Sequence, residues 1–216
     1  DCGTAIINRV PLGFANRIRQ GTIGIVAAAG SGLQALTCLI DHYGGGISQA
    51  VGTGGRDLKN EVNGVTTRIA LEMLGKDETT QVIVVLSKPP DEEIARLILS
   101  EAHKVSKPVV MCLLGVRWGS KEDGNIHFAS TINEAAVEAT QLARCKAGEN
   151  RRVVTSPNSI KISPQTGCVR GFYSGGTLAY EAYLLLQQEL GEIYSNIALD
   201  ERYKIELDQL GAKKHI

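Results

Sequence analysis

The sequence has no excess of charge of either sign, because 23 Lys and Arg residues are balanced by 23 Asp and Glu residues. A balanced chain generates no net field that would attract nucleic acid or an anionic membrane surface. We therefore expect neither nucleic acid nor a membrane among its partners. Small anions can still bind wherever local geometry favours them.

The cysteines lack the spacing of a zinc site or of a disulfide framework. They are odd in number and scattered, and no two of them form a Cys-x-x-Cys pair. The five are Cys2, Cys38, Cys112, Cys145 and Cys168. We expect no metal site, and a reducing, cytoplasmic location.

Long hydrophobic runs are also missing. The longest, Val82 to Leu86 and Val109 to Val116, fall far short of the roughly 20 residues that span a bilayer. These runs indicate buried strands instead. The chain opens on Asp1 without an initiator Met or a charged leader, so we expect it to be part of a longer protein.

Apolar runs and helical patterns alternate along most of the chain. Strand-like runs occupy residues 22–26, 47–52, 82–86, 109–116 and 126–129, and each is followed by a turn and, after all but the fourth, by a helical pattern. This order predicts an α/β fold with a doubly wound parallel sheet. Thr131 and Glu134 have the spacing of a capping box, which predicts a helix reaching about Ala143.

Glycine turns precede two of the predicted helices. "AGSGLQAL" (Ala29 to Leu36) contains the first turn and "YSGGTL" (Tyr173 to Leu178) the second, while "GTGGRD" (Gly52 to Asp57) follows another strand. Such a turn leaves backbone N–H groups and the helix dipole available to an anion such as phosphate. The alternative is that glycine only permits a tight turn. Neither helix-preceding turn has the Walker or the dinucleotide-binding pattern.

Several segments, in this order and spacing, resemble a known family. They are "GTIGIVAAAGSGLQAL" (21–36), "VGTGGRDL" (51–58), "LGKDETTQVIVVL" (74–86) and "KPVVMCLLG" (107–115). The chain resembles the CoA-ligase module of the succinyl-CoA synthetase α-subunit and, more closely, the FdrA-type proteins described as acyl-CoA synthetase-like. The resemblance implies a flavodoxin-like CoA-ligase domain with part of a second, similar unit.

The resemblance also implies a domain order. Residues 1–20 look like the connector that follows a missing N-terminal CoA-binding domain, and residues 21–147 like the ligase domain. Residues 148–170 are predicted to form a linker or mobile loop, since this stretch is largely polar and holds two prolines. Residues 171–216 look like the start of a second ligase-like unit.

Carried onto this sequence, the family's site is a phosphate pocket between two helix amino ends. The resemblance places Gly30, Ser31 and Gly32 opposite a phosphorylated histidine, with the second turn supplying the opposing helix. Lys88 and Arg56 lie on neighbouring loops and could pair with a phosphate or carboxylate. The candidate phosphate- or substrate-binding residues are Gly30, Ser31, Gly32, Gly54, Gly55, Arg56, Lys88, Ser174, Gly175, Gly176 and Thr177.

Two features of the family are absent from the sequence. The loop from Gly115 to Asn125 has no histidine and no His-Ala-Gly motif, so His127 is the nearby candidate for a phosphoryl carrier. Lys88 stands in the Ser-Lys-Pro-Pro segment where the synthetases place a glutamate. A lysine suits the binding of an anion better than the orientation of an imidazole.

Three functions therefore remain open. The first is an acyl-CoA synthetase-like ligase that binds phosphate or an acyl phosphate and receives CoA and ATP through other domains or subunits. The second is a subunit of a carbamoyl-transferring enzyme in allantoin or oxamate (ureide) breakdown. The third is a non-catalytic scaffold subunit. All three predict a homo- or hetero-oligomer, and the first two predict a phosphate-bearing small molecule as partner.

Overall fold

The computed structural model describes residues 4–14, 16–143 and 167–209, and it divides the chain into two compact units, Asp1–Arg151 and Arg152–Ile216. The predicted linker at 148–170 lies outside the described residues as far as residue 166.

The first unit is built around one sheet, whose described strands follow in chain order. They are β1 (Ala5–Ile7), β2 (Val10–Leu12), β3 (Gln20–Ala28), β4 (Ile47–Gly52), β5 (Val82–Ser87), β6 (Val109–Leu113), β7 (Glu122–Asp123) and β8 (Ile126–Phe128). The helices of this unit are α1 (Gly30–His42), α2 (Val65–Lys76), α3 (Glu92–His103) and α4 (Ile132–Leu142).

The strands lie in the order β2-β1-β4-β3-β5-β6-β8-β7. The five in the middle, from β4 to β8, are parallel, and their order is that of the flavodoxin-like doubly wound sheet. The prediction of a doubly wound parallel sheet is confirmed. β1, β2 and β7 add antiparallel pairs at the two sides.

Helices cover both faces of the sheet. α1 packs against α4, while α2 packs against α3. Apolar side chains on the inner side of each helix explain this, as in α1, where Leu33, Leu36 and Ile40 are fully buried. All six residues of β5 are buried, as expected for a strand covered on both faces.

The helix ends follow the predicted signals closely. Thr131 caps α4 by accepting a hydrogen bond from the Glu134 N–H at 3.1 Å, and the Glu134 carboxylate accepts one from the Ser130 N–H at 2.8 Å. α1 ends at His42, and Gly44 then adopts a left-handed φ of 90°. The capping-box prediction is confirmed, although the reciprocal bond goes to Ser130.

Two hairpins were not predicted. The first joins β1 to β2 inside the predicted connector, through Asn8 and Arg9, whose φ angles are 47° and 70°. Gln49 of β4 holds this turn, since its Oε1 accepts a hydrogen bond from the Asn8 N–H at 2.7 Å. The second hairpin joins β7 to β8 and turns at Gly124, whose φ is 61°.

The described part of the second unit contains α5 (Gly176–Leu190) and two short 3-10 turns at 201–203 and 207–209. The predicted helix is confirmed. The residues before this helix, Gly171 to Ser174, form no strand with any other described residue. Tyr183, Ile193 and Ala198 form a small apolar cluster beside α5.

Among the described residues, none of the helices has the length and apolar character of a membrane span. The same residues contain no group of three or more His, Cys, Asp or Glu side chains placed to hold a metal ion.

Candidate functional site

β3 and β5 are neighbours in the sheet, and the chain leaves them in opposite directions. From β3 it crosses to β4 on one side, and from β5 it crosses to β6 on the other. In doubly wound sheets a crevice opens at such a reversal, outside the carboxyl ends of the strands. Ala28 pairs with Ser87 at these ends, so the turn at Gly30 and the loop at Lys88 leave the sheet side by side.

The amino end of α1 has no cap made by the protein. Its N-cap residue, Ala29, has no side chain that could accept a hydrogen bond, and the first turn contains no acidic residue. A Cβ atom added at Gly30 would meet nothing within 4 Å. The Ser31 hydroxyl has no hydrogen-bond partner among the described residues. Free N–H groups, the helix dipole and this hydroxyl therefore all remain available to an anion.

The amino end of α2 is different, because a buried carboxylate of the chain already occupies it. Asp57 accepts hydrogen bonds from the Thr66 N–H at 3.1 Å, the Thr67 N–H at 2.8 Å and the Thr67 hydroxyl at 2.6 Å. The Asp57 residue is only 3% exposed. Of these two helices, α1 is thus the one whose amino end is open.

The "GTGG" segment forms a loop and does not enter a helix directly. Gly54 has a left-handed φ of 90°, and α2 begins only at Val65. A Cβ atom at Gly55 would lie 3.3 Å from the Lys88 Nζ. The loop therefore reaches past β3 and brings Gly55 against Lys88, which the sequence alone does not show.

Lys88 and Arg56 are both available for an anion. Neither forms an ion pair with any residue in the described part of the chain. Arg56 lines a surface cavity of about 570 Å³ together with Thr53, Gly54 and Asp57. This cavity and the α1 turn are separate features of the same sheet edge.

An ion pair fixes the loop that carries Lys88. The Lys59 Nζ lies 2.9 Å from the Asp91 Oδ1 and donates a hydrogen bond to the Pro89 carbonyl at 3.3 Å. The Asn60 N–H donates to the Asp91 Oδ2 at 2.9 Å. The hydrogen bond from Lys59 lowers the pKa of the Asp91 carboxyl, and the bond from Asn60 lowers it further. These contacts join the loop after β4 to the loop after β5.

His127 lies away from this edge. It pairs with Val110, three positions before Leu113, which is paired with Ser87 at the edge, so about 10 Å of strand separates the two levels. Its Nδ1 lies 3.1 Å from the Glu138 Oε1 and 3.5 Å from the Glu122 Oε1, and the side chain is 18% exposed.

The other two histidines within the described ranges, His42 and His103, are at the carboxyl ends of α1 and α3. The structure therefore brings no described histidine to the Gly30 turn.

The second glycine turn belongs to the second unit. Gly175 is the N-cap of α5 and provides no side-chain cap, and its carbonyl accepts a hydrogen bond from the Ala179 N–H at 3.1 Å. Thr177 is fully buried, and its hydroxyl has no partner among the described residues. The expected opposition of this helix to α1 stays a prediction.

The loop after β6 carries Arg117 and Trp118. Gly115 has a left-handed φ of 80° and Arg117 is exposed. The Trp118 ring stacks on Phe128 with their centroids 4.5 Å apart. This contact fixes the loop against the apolar core.

The chain is similar in sequence to known proteins, and it spans less than half the length of each of the two relatives below. No family profile matches the chain. The chain is 39% identical over 211 residues to the uncharacterised protein YahF of Escherichia coli K12, covering 95% of this chain and 41% of YahF. It is 35% identical over 101 residues to the α-subunit of an ADP-forming succinate–CoA ligase of Aquifex aeolicus, covering 45% of this chain and 31% of that subunit.

Two solved structures give weaker matches. One is a dinucleotide-forming acetyl-coenzyme A synthetase 1 of Ca. Korarchaeum cryptofilum in complex with phosphate and ADP, at 19% identity and a TM-score of 0.39, over 64% of this chain and 26% of that one. The other is ATP citrate lyase of Methanothrix soehngenii in complex with citrate and coenzyme A, at 14% identity and a TM-score of 0.43, over 97% and 33%. Since both scores are below 0.5, neither match extends the functional comparison.

Proposed function

We propose that the chain is an FdrA-type, acyl-CoA synthetase-like protein whose first unit binds phosphate or an acyl phosphate at the amino end of α1. The proposal rests on the similarity to the succinate–CoA ligase α-subunit together with the site's geometry. The observation that carries it is the uncapped α1 terminus at the point where β3 and β5 diverge.

Lys88 supports the same proposal from the neighbouring loop. It is one residue beyond Ser87, which pairs with Ala28 at the end of β3, and its Nζ is close to Gly55. A cation at this point complements an anion held by the α1 N–H groups. Arg56 adds a second unpaired cation at the edge of the sheet.

A second candidate function follows from the position of His127. Because this side chain faces Glu138 and lies below the edge, it is not placed to accept a phosphoryl group from the α1 turn. An anion site beside which no described histidine lies suits transfer of a carbamoyl group from carbamoyl phosphate. The second candidate is therefore a subunit of a carbamoyl-transferring enzyme in ureide or oxamate breakdown.

Other partners belong to the same proposal. CoA and ATP, where they are used, would reach the site through other domains or subunits. The opposing helix amino end would come from Ser174, Gly175, Gly176 and Thr177 in the second unit, or from another subunit.

Calorimetric titration with phosphate, acetyl phosphate and carbamoyl phosphate tests the proposal. Gly30→Asp places a carboxylate in the first turn of α1, where it competes with the anion, so we expect affinity to fall about tenfold. Gly30→Ala is the matched control, and we expect it to bind as the wild type does because its Cβ meets no atom. Lys88→Ala should also weaken binding, and Lys88→Arg should restore most of it.

The titration also separates the alternatives. Tighter binding of acetyl phosphate supports the ligase, and tighter binding of carbamoyl phosphate supports carbamoyl transfer. If the folded wild type binds none of the three anions, or if Gly30→Asp binds them unchanged, both enzyme proposals fail. A scaffold subunit is then the remaining function.

A further inference from the structure

The outer side of α2 carries a row of exposed apolar side chains. Val65, Ile69 and Met73 follow one another at intervals of four residues and are 48%, 53% and 66% exposed. Residues spaced in this way lie above one another on a helix. The opposite side of α2, with Thr67, Leu71 and Leu74 among others, is buried against the sheet. Isolated exposed apolar residues are ordinary, but a continuous row marks a contact surface.

A row of charges runs beside the apolar row. Arg68, Glu72 and Lys76 also follow at intervals of four residues, and their signs alternate. A groove of about 560 Å³ between α2 and α3 is lined by residues of both rows and by Glu101 and Lys104. The contact surface therefore combines an apolar strip with a charged strip of alternating sign.

We propose that this surface of α2 packs antiparallel against the same surface of a second copy of the chain. The two-fold axis is perpendicular to α2 and crosses it at the level of Ala70 along the helix. The apolar side chains of the two copies then alternate along the helix axis in steps of about 3 Å. The same axis places Arg68 of each copy opposite Glu72 of the other. A charged row of one sign would fit a partner of opposite sign, whereas this alternating row fits its own copy.

The ion pairs that Arg68 and Glu72 form within one copy are compatible with contacts to a second copy. Glu72 pairs with Lys76 while both side chains are well exposed, and the Arg68 guanidinium lies 3.4 Å from the Glu101 carboxylate. The exposed Glu72–Lys76 pair contributes little to stability, whereas the Arg68–Glu101 pair is partly buried, with side chains 39% and 20% exposed. Glu72 can thus change partners, and Arg68, whose guanidinium has five N–H donors, can keep its contact with Glu101 and also pair with Glu72 of the other copy.

Sedimentation equilibrium of the 216-residue chain, from micromolar to several hundred micromolar concentration, tests the proposal. We expect a monomer–dimer equilibrium for the wild type. Ile69→Lys should weaken the dimer at least about tenfold, because it places a charge in the centre of the apolar row. Leu199→Lys is the matched control, since Leu199 is 51% exposed and lies in the second unit, and we expect it to leave the equilibrium unchanged.

Exchanging the charges of Arg68 and Glu72 provides a second test of the dimer. Arg68→Glu and Glu72→Arg alone each place like charges opposite one another and should weaken the dimer, whereas the double variant restores opposite charges and should recover it. Circular dichroism checks that each variant is folded. The proposal is overturned if the wild type is monomeric throughout, if Ile69→Lys dimerises as the wild type does, or if the double variant is no better than the single ones.

Discussion

Asp57 determines how much of the amino end of α2 is available to an external anion. Its carboxylate accepts bonds from the Thr66 and Thr67 N–H groups and from the Thr67 hydroxyl while it is almost fully buried. The Asp57 carboxylate thus provides the negative charge that a helix amino end favours. The Thr66 and Thr67 N–H groups are therefore not available to an external anion at α2, whereas the first turn of α1 has no such internal carboxylate.

Replacing Asp57 should destabilise the first unit. Asp57→Ala leaves the Thr66 and Thr67 N–H groups without their buried acceptor, so we expect the free energy of unfolding to fall by about 3 kcal/mol. Urea denaturation followed by circular dichroism measures this. Asp123→Ala is the control, because that carboxylate is 55% exposed and, among the described residues, it forms an ion pair with His103 alone. An Asp57 variant no less stable than the control would contradict the assignment.

Among the residues of the candidate site, the sequence predicts the turn at the start of α1 but not the contacts of Asp57 and Lys88. Gly30, Ser31 and Gly32 are recognisable because the turn lies directly between a strand and the first turn of a helix. Asp57 is not recognisable in this way, since it caps a helix that begins eight residues later. The approach of Gly55 to Lys88 depends on the path of two loops, and no local pattern encodes it.

At the scale of elements, the loops after β4 and β5 are joined by Lys59 and Asp91. The ion pair at 2.9 Å and the bond from the Asn60 N–H lie beside the amino end of α3. Asp91 is the N-cap residue of α3, but its side chain binds the neighbouring loop and makes no cap hydrogen bond to α3. The contact positions the segment that contains Lys88.

This contact makes stability depend on pH. The pKa of Asp91 is lowered from 3.8 in the folded protein, mainly by the Lys59 hydrogen bond, so its contribution is present above about pH 4 and lost as the pH falls through the lowered pKa. We expect the wild type to exceed Asp91→Asn in stability by up to about 1 kcal/mol at neutral pH. Urea denaturation should show this difference shrinking below pH 3.8. A difference that does not change with pH would contradict this role.

The parallel strands were predictable and the hairpins were not. β5 and β6 are continuous apolar runs with turn residues on both sides, which is typical of strands covered on two faces. β2 (Val-Pro-Leu) and β7 (Glu-Asp) have three and two residues, all exposed, so both are too short to show the periodic pattern of a strand. They form because β2 pairs with β1 and β7 pairs with β8 across tight turns.

At the scale of the whole molecule, the described apolar core of the sheet belongs to the first unit. On one face a cluster joins α2 and α3 to β3, β5 and β6, including Val85 and Ile98, and on the other face Leu36 of α1 and Ala136 of α4 are fully buried. The second unit has its own small cluster around Tyr183. A unit that contains its own core is expected to fold alone.

The fragment Asp1–Arg151 should therefore fold without the rest of the chain. We expect a cooperative urea transition and a far-ultraviolet circular dichroism spectrum of mixed helix and sheet. Ile98→Ala in this fragment should lower the free energy of unfolding by about 2–5 kcal/mol, because Ile98 is fully buried in the core. A fragment without a cooperative transition would show that the first unit depends on the second.

Binding of an anion at the open end of α1 is the central claim, and amide chemical shifts of the 216-residue chain test it most directly. Inorganic phosphate should shift the Ser31 and Gly32 N–H resonances in a saturable manner, while the Thr66 and Thr67 resonances, whose N–H groups are bound to Asp57, stay in place. Gly30→Asp should suppress the shifts and Gly30→Ala should preserve them. Unchanged Ser31 and Gly32 resonances at saturating phosphate would contradict the claim.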